Sequence, residues 1–101
     1  MKIDLIVTRH PALKDYLIER GVADENTPVL PHAGEEDVRG KEVAGVLPLH
    51  LAAACASLTT VELALPLEMR GKELSLEDMR RYCKGLRTFI IWDVTEMEED
   101  R

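Results

Sequence analysis

Residues 2–21 read KIDLIVTRHPALKDYLIERG, and this stretch decides the fold. Apolar side chains occupy both faces of the β-rich run Lys2–Thr8, which is typical of a strand inside a covered parallel sheet. Arg9–Pro11 break the run, and residues 12–20 then carry apolar side chains at helical spacing before Gly21, a frequent helix stop. The stretch therefore predicts a strand, a short polar turn and a helix, the opening unit of an α/β domain.

The rest of the chain repeats this alternation. Further strands are predicted at residues 27–30, 42–47, 59–65 and 88–94, helices at 49–58 and 76–86, and a loop at 33–41. Prolines on both sides of the second strand indicate a sheet edge. The order β-α-β-β-α-β-α-β predicts right-handed crossovers and a compact Rossmann-like α/β fold, with a mainly parallel sheet and flanking helices. No G-x-G-x-x-G motif follows the first strand, so we expect no dinucleotide cofactor.

The composition favours one small domain. The chain has 101 residues, of which 46% are hydrophobic and 32% charged, an ordinary globular balance. We expect a single domain over residues 1–95 and a solvated acidic tail over residues 96–101. Because a domain of this size has a thin core, dimerisation would help to stabilise it.

Charge and hydropathy restrict the functional classes. The net charge of −6 argues against a duplex-binding protein, although a few cations and backbone N–H groups can still hold a small phosphate ligand. No run approaches the ~18 apolar residues of a membrane span, and Asp4 in the first apolar run argues against a signal peptide. Cys55 and Cys83 are too few for a zinc site and lie in apolar patterns typical of buried thiols. We therefore expect a cytoplasmic protein without a metal or a membrane partner.

Residues suited to ligand binding follow three of the predicted strands. They are Thr8, Arg9 and His10 after the first strand, Leu47, Pro48 and His50 after the third, and Arg70, Gly71 and Lys72 after the fourth. Ligands of open α/β sheets bind outside the carboxyl ends of the strands. We therefore expect these three turns to meet at one edge of the sheet.

The residue types at this edge suit phosphate. The planar guanidinium groups of Arg9 and Arg70 match phosphate oxygens, and Gly71 would let the backbone approach them closely. His10 and His50 are candidates for proton transfer, because imidazole changes its charge near neutral pH. The sequence thus predicts a site for a phosphate-rich nucleotide ligand.

Each candidate also has a structural interpretation. Arg9 is compatible with an ordinary surface arginine, and His10 with a cap for the following helix. His50, in the first turn of an apolar helix, is compatible with a hydrogen-bonded, partly buried histidine. Residues 70–72 are compatible with a solvated turn. His32, after the proline that ends the second strand, is more typical of an ordinary surface histidine than of a site residue.

Three motifs together resemble those of a known family. They are VTRHPA at residues 7–12, GVLPLHLAA at residues 45–53 and LPLEMRGKELS at residues 65–75. In this order they resemble the small CRISPR-associated proteins of type III systems called the Csx group, number sixteen. The resemblance covers nearly the whole chain and is weakest over residues 22–41.

The resemblance implies a metal-independent ring nuclease, similar to the CARF (CRISPR-associated Rossmann) sensor domains. Such proteins are homodimers that bind cyclic tetra-adenylate across the dimer axis and open it to linear di-adenylate, which switches off the antiviral response. In this reaction a ribose 2′-OH attacks the neighbouring phosphorus and leaves a 2′,3′-cyclic phosphate and a free 5′-OH.

The resemblance also implies roles for residues of this chain. Arg9 and Arg70 would neutralise the charge that develops on phosphorus, and His10 would act as general base or acid. The ligand-binding residues would be Thr8, Leu47, Pro48, His50, Gly71 and Lys72. Asparagine is common in the family where His50 stands here, which favours a binding or orienting role for His50.

Three alternatives stay open at this point. The same site would serve a non-catalytic protein that sequesters or senses a cyclic oligoadenylate. Arg9-His10 also resembles the Arg-His-Gly signature of histidine phosphatases, but Pro11 replaces the glycine and the chain is short for that fold. The third alternative is a structural or interaction protein whose charged edge has no ligand.

Overall fold

The computed structural model describes residues 2–95, which form a five-stranded sheet with helices on both faces. The strands are β1 (Leu5–Val7), β2 (Val29–Leu30), β3 (Glu42–Gly45), β4 (Ser57–Leu63) and β5 (Cys83–Phe89). The helices are α1 (Pro11–Glu19), α2 (Glu35–Val38), α3 (Leu49–Ala54) and α4 (Leu76–Tyr82), and a 3-10 turn covers Leu67–Met69. The predicted α/β class is confirmed. The acidic tail predicted at residues 96–101 lies outside the described residues.

The sheet has the strand order β2-β1-β3-β4-β5. Its first four strands are parallel, and β5 pairs antiparallel with β4. The mainly parallel sheet and the edge position of β2 are therefore confirmed. The strand order differs from the Rossmann order 3-2-1-4-5-6, and it corresponds to the other common order of doubly wound sheets. Because connections leave β1 and β3 toward opposite faces, a crevice forms at the carboxyl ends of these two neighbouring strands.

Side chains of β1 alternate between two hydrophobic layers. Ile6 is fully buried and packs with Leu13 and Leu17 of α1 on one face. Leu5 and Val7 belong to the layer on the other face, which also contains Val38 of α2 and Ala52 of α3. The absence of polar residues from Leu5–Val7 follows from this double burial.

The prediction for the last helix and strand was wrong in its boundaries. The helix was expected to continue to Leu86, whereas α4 ends at Tyr82 and the strand begins directly with Cys83. Gly85 has φ +136°, which no helix allows, and the backbone N–H of Ala64 donates to the carbonyl of Tyr82 over 2.9 Å. A helix of seven residues is only about 10 Å long. The chain therefore enters β5 at the carboxyl end of β4, and β5 has to run antiparallel.

Two helices also differ from the prediction. The expected loop over residues 33–41 contains the short helix α2, which its run of charged residues between two glycines did not indicate. The side chain of Val38 anchors this helix in the core, and Asp37 accepts the N–H of Gly34 over 2.8 Å. The helix expected at 49–58 ends at Ala54, because the backbone of Cys55 is extended with ψ 155°.

Candidate phosphate-binding site

A cavity of about 740 Å³ opens at the carboxyl ends of β1 and β3. Its volume lies within the usual range for small-molecule pockets. The polar side chains of the lining are Thr8, Arg9, His10, His32 and Lys72. Apolar side chains of the lining include Leu13, Val61, Leu63, Leu65, Leu74 and Met79. The cavity thus combines cationic side chains with apolar surface.

The connection from β4 to β5 supplies part of the cavity lining. Because β5 begins at the carboxyl end of β4, the chain over residues 64–82 leaves this edge of the sheet and returns to it. Leu74 and Met79 are buried in the layer shared with α1, and both line the cavity. The antiparallel last strand is therefore part of what builds the site.

The turn after β1 is held in place by its own polar groups. The hydroxyl of Thr8 accepts the backbone N–H of His10 over 3.0 Å, and the N–H of Thr8 donates to the carbonyl of Leu30 over 2.9 Å. Pro11 occupies the first turn of α1, where its missing N–H costs no helical hydrogen bond. The turn thus presents Arg9 and His10 side by side at the start of a nine-residue helix.

Arg9 is in contact with a residue from the neighbouring strand end. Its Nη2 atom lies 3.2 Å from Nε2 of His32, which follows β2. A guanidinium group can only donate hydrogen bonds, so the imidazole nitrogen is the acceptor of this contact. Both side chains are exposed to the cavity, and neither is tied into the core.

The end of β3 contributes its backbone and an exposed apolar side chain to the cavity. Gly45–Pro48 line the cavity, which places the predicted ligand residues Leu47 and Pro48 in it. Val46 is 87% exposed at this position. His50, in the first turn of α3, is exposed and does not belong to the lining.

The third predicted turn is divided between the cavity and the outside. Gly71 and Lys72 line the cavity, whereas Arg70 does not. Arg70 ends the 3-10 turn, donates its backbone N–H to the carbonyl of Leu67 over 3.2 Å and is exposed. The structure therefore brings together Thr8, Arg9, His10, Leu47, Pro48, Gly71 and Lys72, and leaves His50 and Arg70 outside the lining of a single chain.

The charge of the cavity is opposite to that of the chain. The net charge of the protein is −6, yet no aspartate or glutamate is found among the described residues that line the cavity. The charged side chains there are Arg9 and Lys72, accompanied by His10 and His32. Since field lines concentrate in a cleft of one sign, this arrangement favours an anionic ligand.

His32 is a further polar residue of the cavity lining. It contacts Arg9, although its position after a proline is more typical of an ordinary surface histidine. The signal was present, because β2 is parallel to β1 and the two strands must end at the same edge. The residue directly after Pro31 therefore belongs to the same cluster as the turn after β1.

Comparison with protein families identifies the group to which the chain belongs. A model of the family described as "Putative CRISPR-associated protein (Cas_VVA1548)" matches residues 5–92. The chain belongs to this family. The matched region of this CRISPR-associated protein includes all five strands and every residue that lines the cavity. Comparisons with curated proteins and with solved structures gave no match.

The cysteines of this family member, and the metal-ligating side chains among its described residues, form no metal-binding cluster. Cys55 is buried, which raises the pKa of its thiol, and Cys83 is half-buried; both are free thiols. Within residues 2–95, no three His, Cys, Asp or Glu side chains lie close enough together to hold a metal ion. Over the same residues, no helix has the length and hydropathy that crossing a membrane requires.

Proposed function

We propose that this CRISPR-associated protein is a ring nuclease that binds and linearises a cyclic oligoadenylate, with cyclic tetra-adenylate as the expected substrate. Within this proposal the chain is an accessory protein of type III systems that resembles the Csx group, number sixteen, and its fold is a CARF-like variant of the Rossmann theme. The observation that carries the proposal is the cationic cavity at the carboxyl ends of β1 and β3. Family membership supports the CRISPR context.

The two kinds of lining residue suit the two parts of a nucleotide. Phosphate oxygens would bind to cationic side chains such as Arg9 and Lys72. Adenine would pack against the apolar side chains, which include Leu63, Leu65 and Met79. The N-terminus of α1, which follows Arg9 and His10, adds backbone N–H groups that favour negative charge.

The proposed reaction needs positioning, charge neutralisation and proton transfer. A ribose 2′-OH attacks the adjacent phosphorus, and the 5′-oxygen leaves as the P–O bond breaks. Holding these atoms in line can contribute roughly 7–11 kcal/mol in favourable cases. Arg9 would stabilise the negative charge that builds on the phosphoryl oxygens. His10 would take the proton from the 2′-OH or donate one to the leaving 5′-oxygen.

A homodimer is part of the proposal. Val46 and Leu49 are 87% and 75% exposed beside the cavity, and a second copy that covers them would bury apolar surface. A two-fold axis at this edge would also present two cationic cavities to one cyclic ligand with repeated phosphates. Arg70 and His50, which are outside the lining of one chain, would then be available to the cavity of the other.

A non-catalytic role is the second candidate. The position of Arg70 outside the lining removes one of the two arginines expected to stabilise the transition state in a single chain. A protein with the remaining groups would bind a cyclic oligoadenylate and sequester or sense it without cutting.

One experiment separates the two candidates. The purified protein is incubated in excess over cyclic oligoadenylates of different ring size, and the products are separated by chromatography. The ring nuclease is expected to convert cyclic tetra-adenylate to linear di-adenylate, with a 2′,3′-cyclic phosphate as intermediate or product, and chelator should not change the rate. Intact ligand that co-elutes with the protein would reject the nuclease and support sequestration. Ligand that neither binds nor is cut would reject both.

A further inference from the structure

We propose that Arg9 and His32 together form the phosphate subsite of the cavity, and that binding of a phosphate is coupled to uptake of one proton by His32. The inference rests on the proposed phosphate-binding role of the cavity and concerns a residue that the expected mechanism does not use. It starts from the 3.2 Å contact between Nη2 of Arg9 and Nε2 of His32.

The contact favours one tautomer of the imidazole in the free protein. Because Arg9 can only donate, Nε2 of His32 must accept, and the ring proton resides on Nδ1. A protonated ring would place two cations against each other at this distance. The free protein thus holds a neutral His32 that directs the guanidinium of Arg9 into the cavity.

A bound phosphate reverses this preference. Phosphate oxygens are acceptors only, so a phosphate that enters between the two side chains takes a hydrogen bond from Arg9 and a second from His32 if Nε2 is protonated. In the proposed step the ring keeps its Nδ1 proton and Nε2 takes a second proton from the solvent, while the phosphate undergoes no covalent change. Phosphate binding therefore replaces the contact between the guanidinium cation and a neutral ring by two hydrogen bonds from cations to an anion.

Among the described residues that line the cavity, no acidic side chain supplies a negative charge that would keep His32 protonated in the free protein. The groups that share the cavity with it are Arg9 and His10 from the turn after β1 and Lys72 from the connection to α4, all of them basic.

Carboxylates do occur on the element that follows His32. Glu35 pairs with Arg39, Asp37 accepts the N–H of Gly34, and Glu36 is exposed on α2. None of these carboxylates lines the described cavity. The ligand itself is therefore the anion that favours protonation of His32.

Histidine-ring NMR with pyrophosphate as the probe tests this inference. In protein carrying ¹⁵N-labelled histidine at about pH 7, we expect the free His32 ring to be the neutral Nδ1–H tautomer and the ring bound to pyrophosphate to be protonated on both nitrogens. His32→Gln assigns the signal and keeps an acceptor for Arg9 without a titratable group. Calorimetry in two buffers of different ionisation enthalpy should show proton uptake on binding that His32→Gln lowers by about one proton, while His10→Gln retains it.

Affinity gives a second measurement. His32→Ala should bind pyrophosphate about tenfold more weakly, because one charge-assisted hydrogen bond is lost. The inference is overturned if pyrophosphate does not bind, if the free ring is the Nε2–H tautomer, if the bound ring stays neutral, or if His32→Gln leaves the proton uptake unchanged.

The test of the Arg9–His32 subsite and the cleavage test of the nuclease can fail independently of each other. Protonation of His32 by pyrophosphate together with an intact cyclic tetra-adenylate would uphold the subsite and reject the nuclease. Cleavage of the ring by a protein whose His32 stays neutral would reject the subsite alone.

Discussion

A β-carbon at Gly45 would lie closer than 3.0 Å to the carbonyl oxygen of Val7, its partner on the neighbouring parallel strand. The same β-carbon would be 3.1 Å from the carbonyl carbon of Val7, and Gly45 has φ +138°, a conformation that other residues rarely adopt. The clash is with backbone atoms of the neighbouring strand in the sheet. Val7 and Gly45 both line the cavity, so a backbone shift that relieved the clash would disturb the cavity lining.

Gly45→Ala should therefore destabilise the fold severely. We expect a loss of about 3 kcal/mol or more in the free energy of unfolding, because backbone strain and a steric clash combine. For a chain of this size the melting temperature should fall by at least about 10 °C. Gly40→Ala is the matched control, since Gly40 has φ +71° but open space around its β-position. It should cost only about 1–2 kcal/mol, and equal melting temperatures for both variants would contradict the clash.

Arg9→Ala should weaken ligand binding and cleavage together. Arg9 lines the cavity and provides the guanidinium that the proposal assigns to phosphate, so its loss affects the bound ring and the transition state alike. We expect an affinity for cyclic tetra-adenylate that is lower by roughly 10–100-fold, measured by calorimetry. Lys41→Ala removes an exposed charge next to the amino end of β3 and should leave the affinity unchanged. An equal loss in both variants would indicate a general charge effect.

His10→Gln should slow cleavage more than it weakens binding. Glutamine keeps a polar side chain at the start of α1 but cannot exchange a proton near neutral pH, so only the proton-transfer step is lost. Single-turnover rates are expected to fall by about 10²-fold or more, with a change in Kd below about threefold. A normal rate would remove His10 from the chemistry, and His32 would then be the next residue to examine.

Much of the site was predictable because it follows from strand polarity. Thr8–His10 directly follow an apolar strand, and any parallel sheet brings such a turn to the edge where Gly71 and Lys72 also lie. The reversal of β5 was not predictable from hydrophobic spacing. Leu86 continues the helical pattern of α4 equally well, and only the backbone of Gly85 and the pairing with β4 distinguish the two arrangements.

The Arg9–His32 contact is a second feature that could not be predicted from the sequence. The two residues are 23 positions apart, and β2 has only two residues, which gives little periodic signal. Their proximity depends on the register in which Val7 pairs with Leu30. Sequence patterns predict which strands are parallel more readily than they predict that register.

Leu49→Glu should convert the proposed dimer to a monomer. Leu49 is 75% exposed beside the cavity, so a glutamate there leaves the fold of one chain intact but cannot be buried against a second copy. Light scattering after size exclusion should show half the mass of the unaltered protein. Ile90→Glu is the control, because Ile90 is 70% exposed but follows the end of β5 that pairs with the amino end of β4. A monomer produced by Ile90→Glu alone would place the interface at the opposite end of the sheet.

The ion pair between Glu19 and Arg80 should make stability depend on pH in the acid range. Nε of Arg80 lies 2.9 Å from both carboxylate oxygens of Glu19, which links the ends of α1 and α4 on one face of the sheet. The hydrogen bond from Arg80 lowers the pKa of Glu19 below its ordinary value of 4.5. A lowered pKa in the folded state means that the unfolded chain binds the proton more readily. The contribution of the pair is therefore complete above pH 4.5 and is lost as the pH falls through the lowered pKa.

Glu19→Gln should consequently lower the melting temperature near neutral pH, and the difference from the unaltered protein should vanish in strong acid. The decrease should be small, because both side chains are exposed to solvent. Glu73→Gln is the control, since it removes an exposed carboxylate from the segment that precedes helix α4 and leaves both partners of the ion pair in place. Thermal unfolding followed by circular dichroism from neutral pH to well below 4.5 measures both variants. A difference that persists unchanged into strong acid would show that Glu19 acts through packing of its aliphatic portion and not through its charge.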